Sequence, residues 1–367
     1  MEPSAADELR DVLARYDIGE LVGCQQLHRG YVNVSYTIET ATDGERDTYF
    51  FRKYKQGITE PEIEFEHSLI GHLIDEGFDL VAALIPTADG STYVRRVTAG
   101  ADGEAEPVFY AIFEFLPGED RYAWDNPACT DEELRNSAAV FAGYHTAVDG
   151  LEPEGKRSEP GICALLPVIA ERVEEQLTLV GDTVFDDCLL DHGDLVLQEI
   201  ERTLAAIRDK GCGQLPQLVI HCDYHPGNLK FQDSQVTGLF DFDWSKIDLR
   251  CFDVGLALVY FCTSWEPERN GCFDLRPASV FLGAYQRALA GAAGLGSLSQ
   301  AELDCLPHMI AAGNLYVLNW ALEDFYAKDV DAREYLRYLR HHVGLITWLR
   351  DEANWGGLKR MTREAGS

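Results

Sequence analysis

The run VIHCDYHPGN at residues 219–228, followed by GLFDFDW at 238–244, decides how this chain is read. Gln217 to Ile220 is a short apolar run with β-branched residues, and Pro226-Gly227 breaks the chain a few residues later. Leu229 to Phe231 and Val236 to Phe240 are two more such runs, separated by the turn formers Asp233-Ser234. A hairpin folded about Ser234 and Gln235 brings Asn228 and Asp241 to the same end, within about a residue of register. Asp223 lies on the loop that enters that end.

A carboxylate and an amide oxygen side by side at a strand end suit a hard divalent ion such as Mg²⁺. That ion takes one or two protein oxygens and leaves its other positions to phosphates and water. A second carboxylate within hydrogen-bonding reach is placed to accept a proton from a hydroxyl nucleophile; phosphoryl transfer otherwise needs positioning and charge neutralisation. Asp-x-x-x-x-Asn, then an apolar strand ending in Asp, is the kinase order of base, metal amide and metal carboxylate. Here the loop reads HCD, and the second carboxylate sits in FDFD rather than DFG.

The pattern HCDYHPGN…VTGLFDFDW…FDVGLAL resembles the catalytic region of the aminoglycoside phosphotransferase, choline kinase and type II homoserine kinase superfamily. That resemblance implies Asp223 as catalytic base, Asn228 and Asp241 as Mg²⁺ ligands, and Asp253 as a structural residue. Cys222 stands where the family usually has glycine, which often serves a positive φ or a close approach. His221 reads as a hydrogen-bonded structural residue, and His225 as exposed.

Length and composition set the frame. The 367 residues are 46% hydrophobic, enough for one large or two medium cores, so two lobes are expected. Acidic residues number 62 against 31 basic, a formal net charge of −31. Such a field repels nucleic acid and anionic membrane surfaces, and a nucleotide needs local positive charge to bind against it. No apolar run approaches a membrane span, and the first twenty residues have neither a basic start nor an apolar centre, so a cytoplasmic location is expected. The ten cysteines contain no C-x-x-C spacing and are expected to be reduced.

From the N-terminus, Asp7 to Tyr16 has helical periodicity and a strand-rich segment comes next. Gly30 and Asn33 lie in a hairpin similar to the family's nucleotide-covering turn. Arg52 and Lys53 on the strand Tyr49–Tyr54 must point to opposite faces. The resemblance favours Arg52 as the phosphate-binding cation, with Glu66 on the helix after Pro61 as its partner. Thr92–Val97 and Val108–Phe115 complete five antiparallel strands. Phe113–Gly118 resembles the hinge whose backbone, near Glu114 and Leu116, meets adenine.

Thr130-Asp131-Glu132-Glu133 is a capping box, and past the catalytic hairpin the remainder is helical. Substrate choice in the superfamily comes from the late helices. Asn319, Trp320 and Glu323 are the candidates for the acceptor there, with Asn319 and Glu323 four apart on one face.

The expectation is therefore an α+β, protein-kinase-like two-lobed fold: an antiparallel β-rich N-terminal lobe over residues 1–116 and a larger, mainly helical C-terminal lobe over 117–367. ATP between the lobes, Mg²⁺, and a small-molecule hydroxyl acceptor such as homoserine, choline, a sugar or an aminoglycoside complete it. The alternatives are a stress-response protein Ser/Thr kinase on the same fold, or a silent nucleotide-binding pseudokinase.

Overall fold

The computed structural model describes residues 5–27, 33–99, 105–125, 127–290 and 294–366. Gly30 lies outside the described residues. The chain forms two compact units. The first takes the described residues up to Gly118 together with two short later segments, 152–157 and 238–240; the second takes the rest.

In the first unit, α1 (Ala5–Leu13) precedes β1 (Glu20–Leu27), β2 (Val34–Thr42) and β3 (Glu45–Lys53). Then come α2 (Glu60–Asp75), β4 (Val94–Ala99) and β5 (Ala105–Glu114). The five strands form one antiparallel sheet in the order β1-β2-β3-β5-β4. Asp43 and Gly44 make the β2–β3 turn with φ of 52° and 92°. Two successive positive φ values give the tight hairpin whose twist matches its strands, and this sets Thr42 opposite Glu45.

One face of the sheet packs on α1 through Leu9, Val12, Leu13, Ile38, Phe51, Tyr110 and Ile112. The helix α2 is capped by Thr59 and Glu62, starts with a proline in its first turn, and buries Ile63, Phe65, Leu69, Ile70 and Leu73. The two later segments join this unit by backbone bonds: Leu239 N–H donates to Leu80 at 2.7 Å and Lys156 N–H to Pro61 at 2.8 Å.

The second unit holds α3 (Asp131–Ala147), α4 (Ile162–Leu179) and α5 (Val184–Asp209). Next come the strand pairs β6 (Gln217–Ile220) with β9 (Lys246–Leu249) and β7 (Leu229–Gln232) with β8 (Gln235–Leu239), whose last two residues count with the first unit. Helices α6 (Arg250–Cys262), α7 (Leu275–Leu289), α8 (Gln300–Ala327), α9 (Ala332–Arg350) and α10 (Glu352–Glu364) complete the chain. The capping box at Thr130 and Glu133 opens α3 as expected. Two boxes not anticipated, Thr183 with Asp186 and Ser299 with Glu302, start α5 and α8 several residues earlier than their apolar periodicity does.

Glycines set the approach of α6 and α8: a Cβ on Gly255 would stand 2.8 Å from the Met309 carbonyl carbon, and one on Gly313 would stand 3.0 Å from Leu256 Cα. That close contact fixes the helix carrying Asn319 and Trp320 against the helix carrying Asp253.

Three expectations are corrected. Cys212 and Cys305 form a disulfide across 93 residues, tying the segment before β6 to α8; the other eight cysteines are free thiols. Their Cα atoms lie 6.1 Å apart, within bridging range, a proximity that no spacing motif announces. The β7–β8 turn is Asp233-Ser234, one residue earlier than the pivot expected. Asp233 takes φ 54°, which aspartate tolerates and a two-residue hairpin needs. Lys246–Leu249 is a strand paired with β6, within the stretch past the catalytic hairpin expected to be helical throughout.

Candidate active site

The loop between β6 and β7 is held from below. Asp253, fully buried on α6, accepts the backbone N–H of His221 at 2.8 Å and that of Cys222 at 2.9 Å. His145 Nε2 stands 3.0 Å from the same carboxylate, and its Nδ1 is 2.6 Å from the Tyr285 hydroxyl. Burial depresses the proton affinity of His145 although Asp253 opposes this, so the imidazole is a neutral link in a packed network.

The backbone N–H groups that Asp253 gathers require a sharp bend. Cys222 makes it at φ 62° with its side chain buried. Left-handed backbone is what glycine adopts without cost, which accounts for glycine's place in the pattern that Cys222 departs from. His221 is fully buried, its Nδ1 3.3 Å from the Asp223 backbone N–H, in keeping with a structural reading.

Asp223 faces three partners. Asn228 Nδ2 donates to its carbonyl at 2.9 Å and to its Oδ2 at 3.0 Å, the Tyr260 hydroxyl donates to its Oδ1 at 3.0 Å, and His225 Nε2 lies 3.5 Å from Oδ2. These bonds fix the Asn228 amide orientation, with nitrogen committed to Asp223 and Oδ1 on the other side. His225 is buried rather than exposed: just before the turn at Pro226, its ring packs on Tyr260 at 5.1 Å. Gly227 makes room for it, since a Cβ there would press on the ring at 2.9 Å.

Asn228 precedes β7 and Asp241 comes after β8, so both leave the same end of one hairpin. Asp241 is in left-handed conformation at φ 68°, which aspartate tolerates better than most residues and which turns the chain sharply at the end of the hairpin. Among the described residues no three His, Cys, Asp or Glu side chains form a metal-holding group. An amide oxygen and a carboxylate are hard donors, the kind that suits Mg²⁺.

In the first unit, Arg52 and Lys53 point to opposite faces of β3. Lys53 pairs with Glu8 on α1 at 2.7 Å, half-exposed. Arg52 is buried, paired with Glu66 Oε1 at 2.9 Å and flanked by the rings of Phe50 and Phe113. Tyr54 donates to the other Glu66 oxygen at 3.1 Å. Asn33 Oδ1 accepts the Lys55 N–H at 2.9 Å, tying the start of β2 to the end of β3. Glu114 spends its backbone N–H on Ala83 at 2.8 Å, while that of Leu116 has no partner among the described residues.

On α8, Asn319 donates to Glu323 at 2.9 Å, Glu323 pairs with Arg172 at 2.8 Å, and burial pushes the Glu323 carboxyl up. The buried Oδ1 of Asn319 has no partner among the described residues. Trp320 belongs to an aromatic cluster centred on Trp124, whose ring lies 4.8 Å from Tyr338, 5.4 Å from Trp265, 5.9 Å from Trp320 and 6.5 Å from Tyr260.

Sequence reasoning misses Tyr260, which bonds to Asp223, and, away from Asp223, the buried Lys246 that pairs with Glu159 at 2.5 Å under the Tyr316 ring. Tyr260 is within its reach, because it stands seven residues after Asp253 on α6 and so shares its face.

The phosphotransferase enzyme family model matches residues 23–295. Homoserine kinases are similar over nearly the whole chain. That of Phenylobacterium zucineum is 27% identical over 343 residues, 92% of this chain and 93% of the relative. That of Nitrobacter hamburgensis is 29% identical over 344 residues, 92% of each. Among solved structures, amicoumacin kinase hAmiN in complex with AMP-PNP and Ca²⁺ aligns with TM-score 0.65 at 18% identity, covering 94% of both chains. An aminoglycoside phosphotransferase from Alicyclobacillus acidocaldarius aligns at 0.60 and 16%, covering 97% of this chain and 96% of that one. These alignments establish the protein-kinase-like fold. The chain belongs to the phosphotransferase enzyme family, and is a small-molecule kinase that transfers a phosphoryl group to a hydroxyl acceptor.

Proposed function

We propose that this kinase uses ATP and Mg²⁺ to phosphorylate the hydroxyl of a small amino alcohol of the homoserine kind. The observation that carries the proposal is the Asp223–Asn228 pair: one contact orients the carboxylate and turns the amide oxygen away from it. Asp223 orients the acceptor hydroxyl and takes its proton as the bond to phosphorus forms. Asn228 Oδ1 and Asp241 would hold Mg²⁺, which would supply charge neutralisation at the phosphates. Arg52, kept in place by Glu66, adds positive charge for the phosphates in a chain whose overall field repels them. The Leu116 N–H and the backbone at Glu114 meet the adenine edge, and Asn33 borders the nucleotide.

The acceptor class rests on the homoserine kinases, alike over more than nine-tenths of both chains. An acidic protein attracts an ammonium-bearing acceptor, which Asn319, Trp320 and Glu323 are placed to receive. The indoles of Trp124, Trp265 and Trp320 favour a second reading, a choline-like base, because aromatic faces attract alkylated cations.

ADP release from purified protein with Mg-ATP, measured against homoserine, other amino alcohols, their N-methylated series, sugars and aminoglycosides, separates these readings. Homoserine is expected to give the highest kcat/KM. Asp223→Asn is expected to lower kcat about 100-fold or more while nucleotide binding persists. Activity unchanged in that variant sinks the base assignment. Labelled phosphate appearing on protein instead of on an amino alcohol sinks the acceptor class.

A further inference from the structure

The helix that anchors the loop also reaches the base. Asp253 and Tyr260 lie seven residues apart on α6, about two turns, and so face the same way. Asp253 grips the loop by its backbone, and the Tyr260 hydroxyl grips the Asp223 carboxylate at 3.0 Å. We propose that Tyr260 is a positioning residue that holds Asp223 in its reactive orientation; this rests on the reading of Asp223 as base.

The geometry is that of a two-point clamp. Asn228 donates to Oδ2 and Tyr260 to Oδ1, so both carboxylate oxygens are held, and the two donors come from different elements. Rotation of the carboxylate breaks both bonds at once. Oδ2 also faces His225 Nε2 at 3.5 Å, while Oδ1 retains a second lone pair, which leaves room for an acceptor hydroxyl. The tyrosine is itself immobilised, its ring against His225 at 5.1 Å and Trp124 at 6.5 Å, on a helix locked to α8 by Gly255 and Gly313. A carboxylate held by one donor alone samples orientations in which neither oxygen faces the hydroxyl, and misplacement of this kind lowers turnover more than binding.

The competing explanation is that a half-buried phenol bonds to the nearest acceptor for its own sake. Tyr224 is the internal control: it is fully buried, lies on the loop itself, and its hydroxyl donates to the Ser137 carbonyl at 2.7 Å rather than to the base.

The test is steady-state kinetics of full-length Tyr260→Phe and Tyr224→Phe with Mg-ATP and the best amino-alcohol acceptor, well below each variant's Tm. Tyr260→Phe is expected to lower kcat about 10- to 100-fold with both KM values within about threefold, and Tyr224→Phe to leave kcat within about threefold. In an Asp223→Asn background, removing the Tyr260 hydroxyl is expected to change the residual rate less than about twofold, because the group it positions is gone. The proposal is overturned by a Tyr260→Phe kcat within threefold of wild type, by equal losses in the two tyrosine variants, by an undiminished effect in the Asp223→Asn background, or by failure of Tyr260→Phe to fold. Activity retained by Asp223→Asn alone overturns the base reading instead.

Discussion

Cys222 offers a prediction in which two substitutions invert their usual order. At most buried positions alanine is preferred to glycine, by about 0.5–1 kcal/mol, because glycine has more backbone freedom to lose. At φ 62°, however, any side chain with a Cβ costs roughly 1–2 kcal/mol relative to glycine. Cys222→Ala keeps that cost and also removes a buried sulfur, a loss of about 1–2 kcal/mol. Cys222→Gly removes the same sulfur but relieves the backbone. The glycine variant is therefore expected to be more stable than the alanine variant by about 1 kcal/mol, and to lie within about 1 kcal/mol of the parent. Urea unfolding without reductant measures this difference, with a common slope for the three proteins as the check that only stability has changed. Alanine more stable than glycine would refute the left-handed assignment and with it the account of why Asp253 can collect two consecutive N–H groups.

Glu66→Ala removes the carboxylate that pairs with Arg52 at 2.9 Å and accepts from the Tyr54 hydroxyl; it is expected to destabilise the protein by about 1–3 kcal/mol, read by thermal unfolding, and to weaken nucleotide binding in parallel. Cys212→Ser opens a loop that spans 93 residues and is expected to cost about 4 kcal/mol; the parent in reductant should show the same drop in denaturation midpoint, and the variant none. His342, buried against Asn314 with Nδ1 at 2.7 Å from its Oδ1, has its proton affinity lowered by burial to a pKa of about 3. Because the folded value lies below the unfolded 6.5, the unfolded chain protonates first, so stability is complete above pH 6.5 and declines below it by up to about 1.4 kcal/mol per pH unit. Stability measured from pH 7 to 4.5 should fall less steeply in His342→Gln; parallel curves would contradict this.

Much of the architecture is legible because its causes are local. The capping box at Thr130, the positive-φ pair at Asp43-Gly44 and strand alternation at Arg52 and Lys53 each need only a few residues to express themselves. The same holds for the loop that carries Asp223 and Asn228. Elsewhere, either the local cue is ambiguous or the cause is remote. Asp233, Ser234 and Gln235 all tolerate a turn, so the hairpin pivot moves by one residue. His225 reads as polar and exposed until the ring of Tyr260 is placed beside it.

The sequence by itself determined the family pattern, the five antiparallel strands followed by helices, and the segments from which the site is assembled, because hydrophobic period, caps and turn residues are written within a turn or two of the chain. Tertiary structure decided which side chains meet: Tyr260 at Asp223, Glu66 at Arg52, Cys305 at Cys212 and Lys246 under Tyr316. Those pairings depend on close packing of elements far apart in the chain, down to the glycines that let α6 and α8 touch; only the family resemblance pointed to Glu66 and only helix spacing to Tyr260, and nothing local announced the Cys212–Cys305 bridge or Lys246 under Tyr316.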